Sequence, residues 1–317
     1  MFRYTLSSRI LWDILAGYSL AVTRSGNFTL LNSLWSHLKT EYFELSSENP
    51  LSVFFFLNEV EVLYNCFKAT IDICFVHSLI ENQNSTWTAH EQFTLWLKML
   101  LLLKLSKACI LTYGYDTYIV QKSVASSNQL INHATNLLND LMTDRACCNA
   151  SFHLLIFVTH SLSGLVCKKV ILLLWNNPEA HLWGIFNCIK DIIFMSTSHK
   201  KAWIADWVKI LALALDVVKF INKLLLKTLE MNDQLLKFIQ VRFWAMIQEL
   251  WEGSRCLKIT CFFEELPLCA VEKVVFKDSA TLEGYNLISI HVNHRDMVKF
   301  GSVKDNKFKR LLKKLIR

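Results

Sequence analysis

Phe152-His153-Leu154-Leu155-Ile156-Phe157-Val158-Thr159-His160-Ser161-Leu162-Ser163-Gly164-Leu165-Val166-Cys167, residues 152–167, carries no formal charge and is closed by Lys168-Lys169. A membrane-spanning helix needs about 20 predominantly apolar residues. This run stops at 16, interrupted by two histidines and three hydroxyl residues. It reads as a buried core helix over 150–175. Its neighbours fail as spans more plainly: Leu95–Tyr113 contains Lys98, Lys104 and Lys107, and Trp203–Leu226 contains Asp206, Lys209, Asp216, Lys219 and Lys223. Charges recurring every five to eight residues are what a water-facing helix stripe needs.

Outward from this stretch the apolar spacing is helical almost everywhere before Gly253. Ile10, Leu11, Ile14, Leu15 and Tyr18 form one stripe, and Leu30, Leu31, Leu34, Trp35 and Leu38 repeat it. Asn49-Pro50 and Asn177-Pro178-Glu179 are start signals, Thr88 with Glu91 is a capping box ahead of Phe93–Leu111, and Gly114 stands at that helix's end. The spacing predicts helices over 8–24, 28–45, 50–80, 89–113, 126–143, 150–175, 178–196, 199–229 and 233–252.

After Gly253 the pattern changes. Leu257–Phe263, Val271–Phe276 and Asn286–Val292 are short runs rich in β-branched and aromatic residues, and read as strands. The expected fold class is therefore mainly α, a multi-helix bundle or a helical-repeat-like stack, with a small β element near the C-terminus. The expected division is a helical body over 1–253, a three-stranded β element over 254–296 and a basic amphipathic tail over 297–317.

The composition excludes disorder and low-complexity classes. Of 317 residues 53% are apolar and 12% aromatic, with 8 Gly and 3 Pro. Net charge is +7, and the tail from Met297 to Arg317, with eight bases and one acid, accounts for all of it. The neutral remainder argues against nucleic-acid binding over the whole surface. The ten cysteines, among them Cys66, Cys74, Cys109, Cys167 and Cys188 in apolar segments, read as small hydrophobes in a reducing compartment. Met1–Gly17 contains Arg3, Arg9 and Asp13 and does not read as a cleaved signal peptide. The expectation is an intracellular protein, nuclear or cytoplasmic, and not secreted; the sequons at Asn27, Asn84 and Asn149 then read as chance matches.

Candidate chemistry is sparse. Cys256, Cys261, Cys269, His291 and His294 are the nearest approach to a metal cluster, but structural zinc uses close ligand pairs on a knuckle, and Cys261 and the histidines fall in strand-like text. His160-Ser161-Leu162-Ser163-Gly164 resembles a nucleophile elbow only partly: that motif needs Gly-x-Ser-x-Gly on a strand-to-helix turn, whereas this segment reads as helix with glycine on one side. No Gly-rich phosphate loop occurs. Glu264 and Glu265 are adjacent, so on a strand they point to opposite faces. No catalytic residue, metal or cofactor is expected.

The tail is the clearest functional signal. Phe308, Leu311, Leu312, Leu315 and Ile316 form an apolar stripe, with Lys307, Lys309, Arg310, Lys313, Lys314 and Arg317 on the opposite arc. So short a helix is unstable alone in water, so the stripe must dock, on the body, on an acidic partner, or on an anionic membrane or nucleic-acid phosphate. The sequence thus reads as a non-enzymatic scaffold or adaptor presenting helical surfaces to protein partners of unknown identity, with a nuclear chromosome-associated complex as one setting. Nucleic acid or anionic membrane would be contacted only through the tail. The alternative is a membrane-associated protein held by its basic C-terminal helix or by the apolar segment at 152–167.

Overall fold

The computed structural model describes residues 59–78, 83–115, 127–199, 223–268 and 273–316. All lie in the second of two compact units, Phe56–Arg317, the first being Met1–Phe55. The helices expected over 8–24 and 28–45, most of that expected over 199–229, Cys269 and Arg317 lie outside the described residues.

The expectation of a mainly α bundle is overturned by a seven-stranded sheet. Its strands are β1 (Glu59–Tyr64), β2 (Ile71–Val76), β3 (Ala108–Gly114), β4 (Leu154–His160), β5 (Ile189–Met195), β6 (Lys258–Glu264) and β7 (Asn286–Ile290). Their spatial order is β1-β3-β2-β4-β5-β6-β7. Only β1, at the edge, runs antiparallel, to β3; every other neighbouring pair is parallel. Helices α1 (Ser127–Cys147), α2 (Ser163–Trp175), α3 (Ala180–Cys188), α4 (Lys223–Glu252) and α5 (Asn306–Leu315) complete the main elements. The C-terminal runs at 258–264 and 286–290 are thus strands of this one sheet, not a separate β element. Described residues 273–276 form no strand.

The physical reason for the misreading is visible in β4. Leu155 and Phe157 enter the core shared with α1, α2, α3 and α4, while Ile156 and Val158 enter a second core on the other face. A parallel strand covered on both sides reads as a continuous apolar run, which carries no period-two signal. The segment read as one helix, 150–175, is therefore strand, turn and helix. The same merging hid β2 inside the helix expected over 50–80 and β5 inside that over 178–196. The capping box at Thr88 and Glu91 does not open a long helix: Thr88 bridges Leu95, a single π-helical turn covers Leu97–Leu101, and β3 follows.

The second core holds Trp87, Trp96 and Phe300 and receives the apolar stripe of α5, where Phe308, Leu311 and Leu315 are buried. Trp96 Nε1 donates to the Val298 carbonyl at 2.8 Å, and Phe308 lies edge-on to Trp96 and Phe300 at 6.1 and 5.8 Å between centroids. Asp305 caps α5 by accepting the Lys307 backbone N–H at 2.8 Å. Among the described residues no helix is long and apolar enough to cross a membrane. Residues 152–167, read alternatively as a membrane segment, are β4 with the elbow and first turn of α2, buried from Leu155 onward.

Candidate active site

In an open, mostly parallel sheet the carboxyl ends of the strands are where loops can place reactive groups over a rigid platform. Here β4 ends at His160, and the next residue, Ser161, turns with φ +61° before α2 begins at Ser163. A left-handed serine costs on the order of 1 kcal/mol and persists only where its surroundings fix it. Three hydrogen bonds do so. The Ser161 N–H donates to the Met195 carbonyl at 2.8 Å, Thr197 Oγ1 donates to the Ser161 carbonyl at 2.9 Å, and the His160 N–H donates to Ser163 Oγ at 2.9 Å. The turn needs a small residue behind it: a Cβ on Gly164 would stand 2.3 Å from the Thr197 side chain.

Three more strand ends converge on Ser161. After β5, Ser196 also takes a left-handed conformation, φ +51°, and donates its N–H to Phe262 of β6 at 2.8 Å. Glu264 is the last residue of β6. His294 follows β7 in a loop whose carbonyl accepts Nε2–H of His160 at 3.0 Å. The result is a buried relay. Ser161 Oγ lies 3.0 Å from His294 Nε2, and His294 Nδ1 lies 3.1 Å from Ser196 Oγ and 3.4 Å from Glu264 Oε1. Ser196 Oγ donates to Glu264 Oε2, and the Val275 N–H donates to Oε1 at 2.7 Å. Ser161, His294 and Glu264 are 1%, 3% and 0% exposed.

The electrostatics suit these positions. Burial by itself would raise the Glu264 carboxyl, but His294, Ser196 and the Val275 N–H outweigh it and hold the group below the ordinary glutamate value. It is therefore a carboxylate facing Nδ1–H, and it fixes the tautomer that leaves Nε2 free to accept from Ser161 Oγ. His160 is the opposite case: burial, aided by His294, pushes it well below the ordinary histidine value, so it is neutral and serves as a donor to the His294 carbonyl.

A mostly parallel sheet with a buried serine, histidine and carboxylate at its strand ends contradicts the reading as a non-enzymatic scaffold presenting helical surfaces. The elbow set aside at His160–Gly164 does sit on a strand-to-helix turn, with Thr159 and Ser163 at the glycine positions of the motif. Ser163 fits because its hydroxyl bonds inward, to the His160 N–H and the Val76 carbonyl. Glu264 and Glu265 do face opposite ways: Glu264 turns in to His294, Glu265 pairs at the surface with His291. The residues weighed together as a metal cluster are dispersed. Cys256 is exposed, Cys261 lies 3.5 Å from His199, His291 is at the surface and His294 belongs to the relay. In the tail, Lys307 Nζ donates to the Asp296 and Lys299 carbonyls at 3.3 and 3.1 Å, Arg310 donates to the Ser289 carbonyl, and Lys309 and Lys313 are exposed.

Along the chain the three residues follow in the order Ser161, Glu264, His294, with the serine on a turn between a parallel strand and a helix. No family model matches the chain, and no curated protein matches its sequence. Among solved structures it is similar to the enol-lactonase from Burkholderia xenovorans LB400, at 13% identity over 81% of this chain and 94% of that one, with a TM-score of 0.41. It is similar to the type II thioesterase YbtT of the yersiniabactin biosynthetic pathway at 11% identity, over 81% and 96% of the two chains, with a TM-score of 0.41. A peroxisomal alpha-beta-hydrolase from Saccharomyces cerevisiae gives 11% identity, 81% and 80% coverage and a TM-score of 0.43.

Proposed function

We propose that this chain is a serine hydrolase of acyl esters or thioesters, with Ser161 as nucleophile, His294 as general base and then acid, and Glu264 as the group that orients and stabilises His294. The observation that carries the reading is the 3.0 Å approach of Ser161 Oγ to His294 Nε2, with Nδ1 of the same ring turned to a buried carboxylate.

Ser161 Oγ attacks the substrate carbonyl carbon while its proton passes to His294 Nε2, and Glu264 stabilises the imidazolium. The negative charge that develops on the carbonyl oxygen is met by the Leu162 N–H at the N-terminus of α2, where the helix dipole favours an anion. A second donor would come from the loop that leaves β2 after Val76. Collapse breaks the bond to the alcohol or thiol, which takes the proton back from His294. Water then repeats the sequence on the acyl-enzyme, releasing the acid and restoring Ser161.

The test uses the full chain with p-nitrophenyl acyl esters, acyl thioesters and a fluorophosphonate probe. Stoichiometric labelling of Ser161, with turnover falling by about 10⁴-fold or more in Ser161→Ala, is the expected result. Turnover that survives Ser161→Ala overturns the assignment, as does no labelling of Ser161 in folded protein.

A further inference from the structure

The opposite ends of the same strands hold a second cluster. Asp72 and Cys109 are register partners across β2 and β3, and His153 immediately precedes β4. One ligand atom from each of Asp72, Cys109 and His153 lies within 4.8 Å of the other two. They face a cavity of about 420 Å³ whose wall also includes Asn65, Cys66 and Cys148.

We propose that Asp72, Cys109 and His153 bind a zinc ion, with the fourth coordination position on the cavity side. The inference is independent of the chemistry at Ser161. The donor set is mixed, one oxygen, one sulfur and one imidazole nitrogen, which suits a borderline-soft ion; calcium and magnesium take oxygen ligands throughout. Zinc–ligand bonds of about 2.0–2.3 Å place tetrahedral donors roughly 3.3–3.6 Å apart; Asp72 Oδ1 and His153 Nδ1, at 2.9 Å, open slightly, and the Cys109 sulfur, within 4.8 Å of its partners, closes in by about 1.5 Å at most.

The supporting groups are already in place. Arg145, 1% exposed, donates to Asp72 Oδ2 and so leaves Oδ1 for the metal. The same guanidinium donates to the Ser151 and His153 carbonyls at 3.3 and 2.8 Å and fixes the backbone that carries the imidazole. Such outer contacts orient ligands and govern affinity. His153 Nδ1–H now donates to Asp72 Oδ1 at 2.9 Å. Metal binding moves that proton to Nε2 and releases the Cys109 thiol proton. Formal charges of +2 on zinc and +1 on Arg145 meet −1 on Asp72 and −1 on the Cys109 thiolate; a thiolate from Cys66 or Cys148 at the fourth position would bring the cluster to neutrality. The cavity supplies the entry path.

Full-length protein stripped with a chelator is titrated with zinc against a chromophoric competitor, and with cobalt as a spectroscopic probe. The expected result is one equivalent bound, with a cobalt–thiolate charge-transfer band. Cys109→Ser abolishes that band, and Cys109→Ser and His153→Gln each weaken zinc at least as much as the ~10–100-fold that loss of an outer-shell partner costs. His153 has a partly exposed side chain, so His153→Gln keeps the test open if Cys109→Ser fails to fold. No stoichiometric binding by the parent chain overturns the proposal, as does zinc affinity unchanged in a folded variant, which would place the ion on surface thiols such as Cys147 or Cys256.

Discussion

At one end of the sheet Asp72 meets His153 at 2.9 Å; at the other, Glu264 meets His294 at 3.4 Å. Both carboxylates are almost wholly buried. Their partners differ. Asp72 is neutralised by Arg145, whose side chain is 2% exposed, so the histidine beside it adds no charge that the site requires. Glu264 is held by neutral donors, Ser196 and the Val275 N–H, and its charge remains available to an imidazolium. A buried carboxylate–histidine contact thus acquires a role in proton transfer from the rest of its surroundings, not from the pair itself.

The largest expected effect follows from that difference. Glu264→Gln removes the charge that supports His294⁺ and favours the wrong tautomer, and turnover should fall by about 10⁴-fold with the fold retained. The matching change at the other pole, Asp72→Asn, should leave turnover per folded molecule unchanged. Equal losses in steady-state assays of the two variants would break the comparison.

Stability should answer in the reverse sense. Arg145→Met leaves Asp72 buried beside a histidine alone and should cost about 3–5 kcal/mol in urea unfolding. A loss below 1 kcal/mol would mean that the pair is screened through the cavity beside it, sharpening the account of that pole.

Lys168 on α2 is another buried charge, met by His199, Gln240 and the rings of Phe194 and Phe243. Burial pushes its ammonium down to about 7. In the unfolded chain a lysine titrates near 10.4. Between these values the unfolded chain binds more protons, so this group makes stability rise with pH, by about 1.4 kcal/mol per unit at most. Lys168→Met should remove that slope. Unfolding at pH 7.5 and 9 would show the difference; parallel curves for the two proteins would mean that Lys168 stays charged when folded.

The smallest effect is expected at α5. Asp305→Ala removes its cap and should cost about 1 kcal/mol, without touching turnover. A loss of activity in thermal-melt-matched samples would mean that the α5 dock reaches His294 through the loop carrying Asp296 and Met297.

How much of this was legible depends on the kind of burial. α5 was legible because one face is apolar and the other basic, a pattern that survives in any context. β6 and β7 were legible as strands by composition, although not as members of a larger sheet. β2, β4 and β5 were not, since both of their faces are covered. The elbow suffered from the same cause. With β4 read as helix, His160-Ser161-Leu162-Ser163 had no strand to leave, and threonine and serine in the glycine positions, Thr159 and Ser163, removed the remaining cue.

By itself the sequence determined which segments are apolar, where the charge accumulates, and that the stretch 307–317 reads as an amphipathic helix needing a dock. Only the tertiary structure decided that 154–160 is extended, because that choice depends on neighbours lying on both sides of it. It alone decided the site as well: Ser161, Glu264 and His294 have no common spacing in the chain, and come together because parallel strands deliver their carboxyl ends to one end of one sheet.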